Sequence, residues 1–122
     1  MPRPVVTANE WIRYEKHRKA NVKSWDNSDA TRWTQDGPSQ YNPHFYHTDQ
    51  EILTVEMDCV NSGTPIDTSD PNPHEFYMYL DGPPVGACSG EKTNYVFAEH
   101  NHQGFHGRPI SDKALRNKGV VI

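Results

Sequence analysis

Apolar and polar residues alternate along two clear stretches of the chain and more weakly along a third, the period of two expected of strands with one buried face. In ILTVEMDCV, residues 52–60, Leu53, Val55, Met57 and Cys59 share one face and Thr54, Glu56 and Asp58 the other. In HEFYMYLD, residues 74–81, His74, Phe76, Met78 and Leu80 stand opposite Glu75, Tyr77, Tyr79 and Asp81. A third run, TNYVFAEH at 93–100, sets Tyr95 and Phe97 against Val96 and Ala98, so a three-stranded antiparallel sheet is expected, with Cys59 and His74 pointing inward. The turn-rich NSGTPIDTSDPNP and DGPPVGACSG supply its connections.

Upstream the pattern differs. Thr7 and Glu10 have capping-box spacing, which predicts a helix over residues 8–20 whose apolar contacts are Trp11, Ile12 and Tyr14. That stripe is thin, and such a helix needs a surface to pack on. Residues 25–50 mix Trp25, Trp33, Tyr41, Phe45 and Tyr46 with frequent turn formers. They read either as an extended arm that anchors aromatics in a partner or as a loop folded over the chain's own core. Downstream, NHQGFHGRPI is expected to be a loop, followed by a short helix capped by Ser111 and ending at Asn117 or Lys118 before Gly119. The predicted fold is a small α+β chain. An N-terminal helix and interaction arm (1–50) precede a small antiparallel, zinc-ribbon-like β module (51–102) and an irregular C-terminal tail (103–122).

Composition sharpens this picture. With 34% hydrophobic residues, 10 prolines and a mean hydropathy of −0.91, the 122-residue chain has a lean core, and a metal or partner surface is expected to supplement it. No stretch approaches the roughly 18–20 apolar residues needed to cross a bilayer, and the first residues lack the apolar core of a secretory signal. Two cysteines are too few for a disulfide framework; reduced thiols are expected, with a single Cys59–Cys88 bridge the other option. The net charge of −4 is divided: six Lys/Arg and two Glu fall within residues 1–23, and the acids dominate thereafter. A basic N-terminal helix with Trp11 and Tyr14 suggests nucleic acid, but the acidic remainder would repel a phosphate backbone, so no nucleic-acid partner is expected.

The candidate chemistry lies beside the predicted strands. Cys59, His74 and Cys88 are thiol and imidazole groups that a folded hairpin would bring together, which suits a structural zinc site. The fourth corner is open between Glu91, which stands where a CxxC would put its second cysteine, and His100 or His102; a site without metal is the third option. A second cluster, His100, His102 and His106 with Glu99, points to a small metal-dependent hydrolase, without an accompanying HExxH, nucleophile elbow or phosphate-binding glycine loop.

The order Cys59, His74, FYMYLD, Cys88, YVF and further histidines, with EILTVEMDC before it, resembles the CHCC zinc-finger accessory subunit of the matrix arm of mitochondrial NADH:ubiquinone oxidoreductase, complex I, over residues 48–102. This chain departs in a longer loop between Cys59 and His74 and in Glu91 at the last cysteine. The resemblance implies zinc held by Cys59, His74, Cys88 and Glu91. It further implies a non-catalytic subunit on the matrix side of the inner membrane that supports assembly and stability through contacts with other subunits.

Overall fold

The longest helix begins where Thr48 accepts the backbone N–H of Glu51 while the Glu51 carboxylate accepts the N–H of Thr48, a reciprocal cap. From it runs α3, Asp49–Ser62, in a computed structural model that describes residues 3–67 and 69–122. Ile52, Val55, Glu56, Cys59 and Val60 are its buried positions, spaced as one face of a helix. Residues 51–60 are therefore helical, and the strand expected there is corrected. The apparent alternation at Leu53, Val55, Met57 and Cys59 arose because Glu56, a charged residue, occupies the buried face and masks the helical stripe.

Before α3 come two single 3-10 turns at Ala8–Glu10 and Glu15–His17, the short helices α1 (Val22–Asp26) and α2 (Asp29–Trp33), and β1 (Gln40–Tyr41). After it come β2 (Thr64–Pro65), β3 (Glu75–Tyr79), β4 (Gly86–Cys88), β5 (Glu91–Thr93), β6 (Tyr95–Asn101), β7 (Gly104–Ile110) and α4 (Asp112–Asn117). Two antiparallel sheets form, in the orders β2-β3-β6-β7 and β1-β4-β5. The strands expected at HEFYMYLD and TNYVFAEH are present as β3 and β6 and pair directly. Their third major partner is β7, in the segment expected to be a loop, so the irregular tail is also corrected. The α4 helix starts at Ser111, whose hydroxyl accepts the Ala114 N–H, as the sequence indicates.

One face of the larger sheet, carrying Phe76, Val96, Ala98 and Phe105, packs under α3 and forms the main core. Gly107 allows a close approach: a Cβ there would lie 2.4 Å from the Phe97 carbonyl oxygen and 3.1 Å from the Glu56 side chain. The opposite face carries Phe97 and Ile110, which pack with Leu115 and Val120. No helix among the described residues is long and apolar enough to cross a membrane.

The N-terminal segment does not form the predicted helix over 8–20. The Thr7–Glu10 box caps only one turn. The chain is then drawn out along the sheet edge, where Trp11 bridges Phe105 in parallel and Ile12 N–H donates to the Phe105 carbonyl at 2.8 Å. Its indole Nε1 donates to Glu56 at 2.8 Å, and Tyr41 donates to the same carboxylate at 2.6 Å. Further back, Arg3 caps the end of α3 by donating to the Val60 and Gly63 carbonyls at 2.8 and 2.7 Å. Most of the aromatic arm likewise folds back: Trp25 and Tyr41 are buried, while Trp33 and Phe45 remain exposed.

Burial raises the Glu56 carboxyl above its usual range, and hydrogen bonds from Tyr41 and Trp11 oppose that rise. Tyr41→Phe removes one of these donors and is expected to cost about 1–3 kcal/mol in chemical denaturation, whereas an unchanged midpoint would show the bond to be dispensable.

His17 is buried with Nδ1 2.8 Å from the Ser39 carbonyl oxygen, and burial pulls its pKa down to about 4. The unfolded state, near 6.5, therefore binds the proton more readily, so this stability is complete above pH ~6.5 and disappears as pH falls towards 4. Discounted for residual solvent screening, the effect is on the order of 2 kcal/mol. The difference in stability between wild type and His17→Gln, followed from pH 7 to 4, should shrink by that amount; parallel curves would contradict the assignment.

Candidate acid–base site on the sheet face

The pleat and register of β3, β6 and β7 arrange the side chains opposite α3 into three rows. Glu75 faces Glu99 and Glu99 faces His106; Tyr77 faces Phe97 and Phe97 faces Arg108; Tyr79 faces Tyr95 and Tyr95 faces Ile110. Facing pairs of this kind stand roughly 4.5–5.5 Å apart at Cβ. The third row is apolar and lies towards α4, while the first is a row of two carboxylates and an imidazole.

Within that first row, His106 Nε2 lies 2.7 Å from Glu99 Oε1, and both side chains retain some solvent access. The ring of Tyr14, itself 39% exposed, stands edge-on to His106 with centroids 4.7 Å apart. His106 Nδ1 is buried without a hydrogen-bond partner among the described residues. Beside the row, the Arg108 guanidinium lies over Phe97, 4.7 Å from the ring centroid, and Lys118 Nζ lies over the same ring at 4.8 Å. Lys118 is 3.7 Å from Glu75, whereas among the described residues Arg108 has no carboxylate partner. Neighbouring Lys16, Arg108 and His106 add to the effect of burial in keeping His17 uncharged.

Chemically, this is a proton donor and acceptor in direct contact, a second carboxylate one strand away, and two cations held on an aromatic ring. Groups of these types can move protons and balance negative charge on a bound anion. Of the histidine cluster considered from sequence, only His106 meets Glu99. His100 projects with Val96 and Ala98 towards the α3 side, and His102 lies exposed in the β6–β7 turn. Sequence reasoning missed Glu75, Arg108 and Lys118. Alternation at His106 and Arg108 within FHGRPI was the available signal, hidden by one glycine and one proline.

The residues considered for zinc do not form a ligand set. Cys59 is fully buried on α3 with Sγ 3.6 Å from the Val96 carbonyl oxygen, and burial pushes its thiol pKa up, away from the thiolate that zinc requires. His74 is exposed just before β3, 3.8 Å from Asp70, rather than pointing inward. Cys88 and Glu91 face each other across β4 and β5 in the other sheet. Among the described residues no three or more His, Cys, Asp or Glu side chains are grouped to hold a metal ion, and a zinc-ribbon-like module is not found. Both cysteines are free.

An apolar groove lies elsewhere, between α3 and the end of β3, lined by Phe45, Tyr46, Val55, Met78 and Leu80 with Asp58 at its rim. It brings together no donor and acceptor pair comparable to Glu99 and His106. The chain matches no protein-family model, no curated protein and no solved structure.

Equimolar zinc, or a chelator, is expected to leave the melting temperature of the purified chain within about 1 °C, since a structural site would change it by many times that. In the same samples Cys59 should resist thiol reagents until the chain unfolds; rapid modification of the native protein would contradict its burial.

Proposed function

We propose that the protein is a small acid–base enzyme acting on a phosphate ester, with Glu99 and His106 as its proton-transfer pair. The observation that carries this reading is the 2.7 Å approach of His106 Nε2 to Glu99 Oε1 beside Arg108, a guanidinium placed over Phe97 without a carboxylate partner among the described residues. A partner-free guanidinium beside a proton-transfer pair suits an anion whose charge grows during reaction. Lys118 supplies a second positive charge, moderated by Glu75. The three strands set these groups on rigid backbone, where catalytic geometry is best maintained.

A panel containing an RNA oligonucleotide, its DNA counterpart and bis(p-nitrophenyl) phosphate tests the proposal. Turnover of at least one substrate is expected. Glu99→Gln, His106→Asn and Arg108→Gln should each lower kcat/KM by about 100-fold or more while the melting curve stays cooperative. No turnover of any substrate, or variants as active as wild type, would overturn it.

The second reading is the non-catalytic accessory subunit of complex I, on the matrix side of the inner membrane. Its support is now the exposed Trp33 and Phe45 on the surface of the aromatic segment, which suit docking onto neighbouring subunits. The zinc module that led to it is not part of that support. Stable association with respiratory-complex subunits, lost on Trp33→Ala with Phe45→Ala, is the outcome that would favour this reading.

A further inference from the structure

We infer that the phosphate ester acted on at this face is single-stranded RNA, cleaved by transfer to its own 2′-hydroxyl. The inference rests on the acid–base reading of Glu99 and His106 and specifies its substrate.

Three features point to RNA. First, the site offers proton transfer and cationic charge, while among the described residues no donor group is arranged to hold a metal that would activate water. A phosphodiester that carries its own nucleophile needs only a base, an acid and a cation, and the ribose 2′-hydroxyl is that nucleophile. Second, Tyr14 is a partly exposed aromatic ring in contact with His106, placed to stack a nucleobase adjoining the bound phosphate. Lys16, with Nζ 5.4 Å from the Tyr14 ring centroid, adds positive charge at that end. Third, Arg108 and Lys118 are two cations beside the row, enough to orient one phosphate.

In the step, Glu99 takes the 2′-hydroxyl proton and the 2′ oxygen attacks phosphorus. The bond from phosphorus to the 5′ oxygen breaks, and protonated His106 gives its Nε2 proton to that leaving oxygen. The products are a 2′,3′-cyclic phosphate and a free 5′-hydroxyl, with no other reactant consumed. Glu99 then returns its proton to His106 Nε2 across the 2.7 Å that separates them, which restores the starting state.

The chain's overall charge of −4 opposes long-range attraction of nucleic acid and led to the expectation that no nucleic acid binds. Local contacts made by two cations do not require a basic protein. They require only a shallow salt dependence, with log(kcat/KM) falling against log[salt] with a slope of roughly −1.4 for two phosphate contacts to a single strand.

The test uses the full chain and three oligonucleotides of one sequence: all-RNA, all-DNA, and DNA with one ribonucleotide. Cleavage of the RNA, and of the mixed strand only after its ribonucleotide, with a cyclic phosphate end, is the expected result. Tyr14→Ala should raise KM about tenfold with kcat little changed, while a conserved melting temperature shows the variant to be folded. Cleavage of all-DNA at a comparable rate, or products lacking a cyclic phosphate stage, would overturn the RNA inference and leave the phosphate-ester reading intact. Failure to cleave any of the three, together with inactivity on bis(p-nitrophenyl) phosphate, would overturn both.

Discussion

The Glu56 carboxylate lies buried where α3 meets the sheet, and the rest of the molecule is arranged around supplying it with donors. A carboxylate moved out of water is costly unless its oxygens are hydrogen-bonded. Here the donors come from distant parts of the chain: Trp11 Nε1 from the N-terminal segment, Tyr41 from β1, and the backbone of Gly107 from β7. One side chain thus ties the helix to both sheets and fixes the N-terminal segment along the outer edge of β7. That edge would otherwise expose unpaired backbone groups, and the bridge from Trp11 to Phe105 covers part of it.

The same arrangement determines the candidate site. Once the Trp11 indole is tied to Glu56, the following residues run beside the sheet, so Tyr14 rests on His106 and His17 is buried against Ser39. Phe97, buried on that face, serves as a floor for Arg108 and Lys118 at once. Two cations share one ring because α4 returns over the sheet and brings Lys118 beside Glu75. The polar face and the main core are therefore opposite sides of one sheet, joined by its register.

How far this was legible in the sequence differs from element to element. The strands β3 and β6 alternate cleanly and were readable, as was the Ser111 cap of α4. The helix α3 is hidden behind strand-like alternation, although Thr48 and Glu51 have the same capping-box spacing as Thr7 and Glu10. A short apolar run fits a strand or a helix equally well, and a buried Glu56 breaks the helical pattern where it matters. Strand β7 was missed because Gly104, Gly107 and Pro109 are turn formers locally, and only pairing with β6 makes them extended. Of the site, Glu99 and His106 stand out in sequence as part of a histidine cluster, whereas Glu75, Arg108 and Lys118 join them only through strand register and the return of α4.

By itself the sequence determined the local features: the caps at Thr7 and Ser111 and the strands 75–79 and 95–101. These depend on neighbours within a few residues, where periodicity and capping act. Only the tertiary structure decided that Cys59, His74 and Cys88 lie apart and that Glu75, Glu99 and His106 stand in one row. Which residues face each other depends on strand register and on whether residues 49–62 coil or extend. Both are settled by contacts between segments far apart in the chain, chief among them those that reach Glu56.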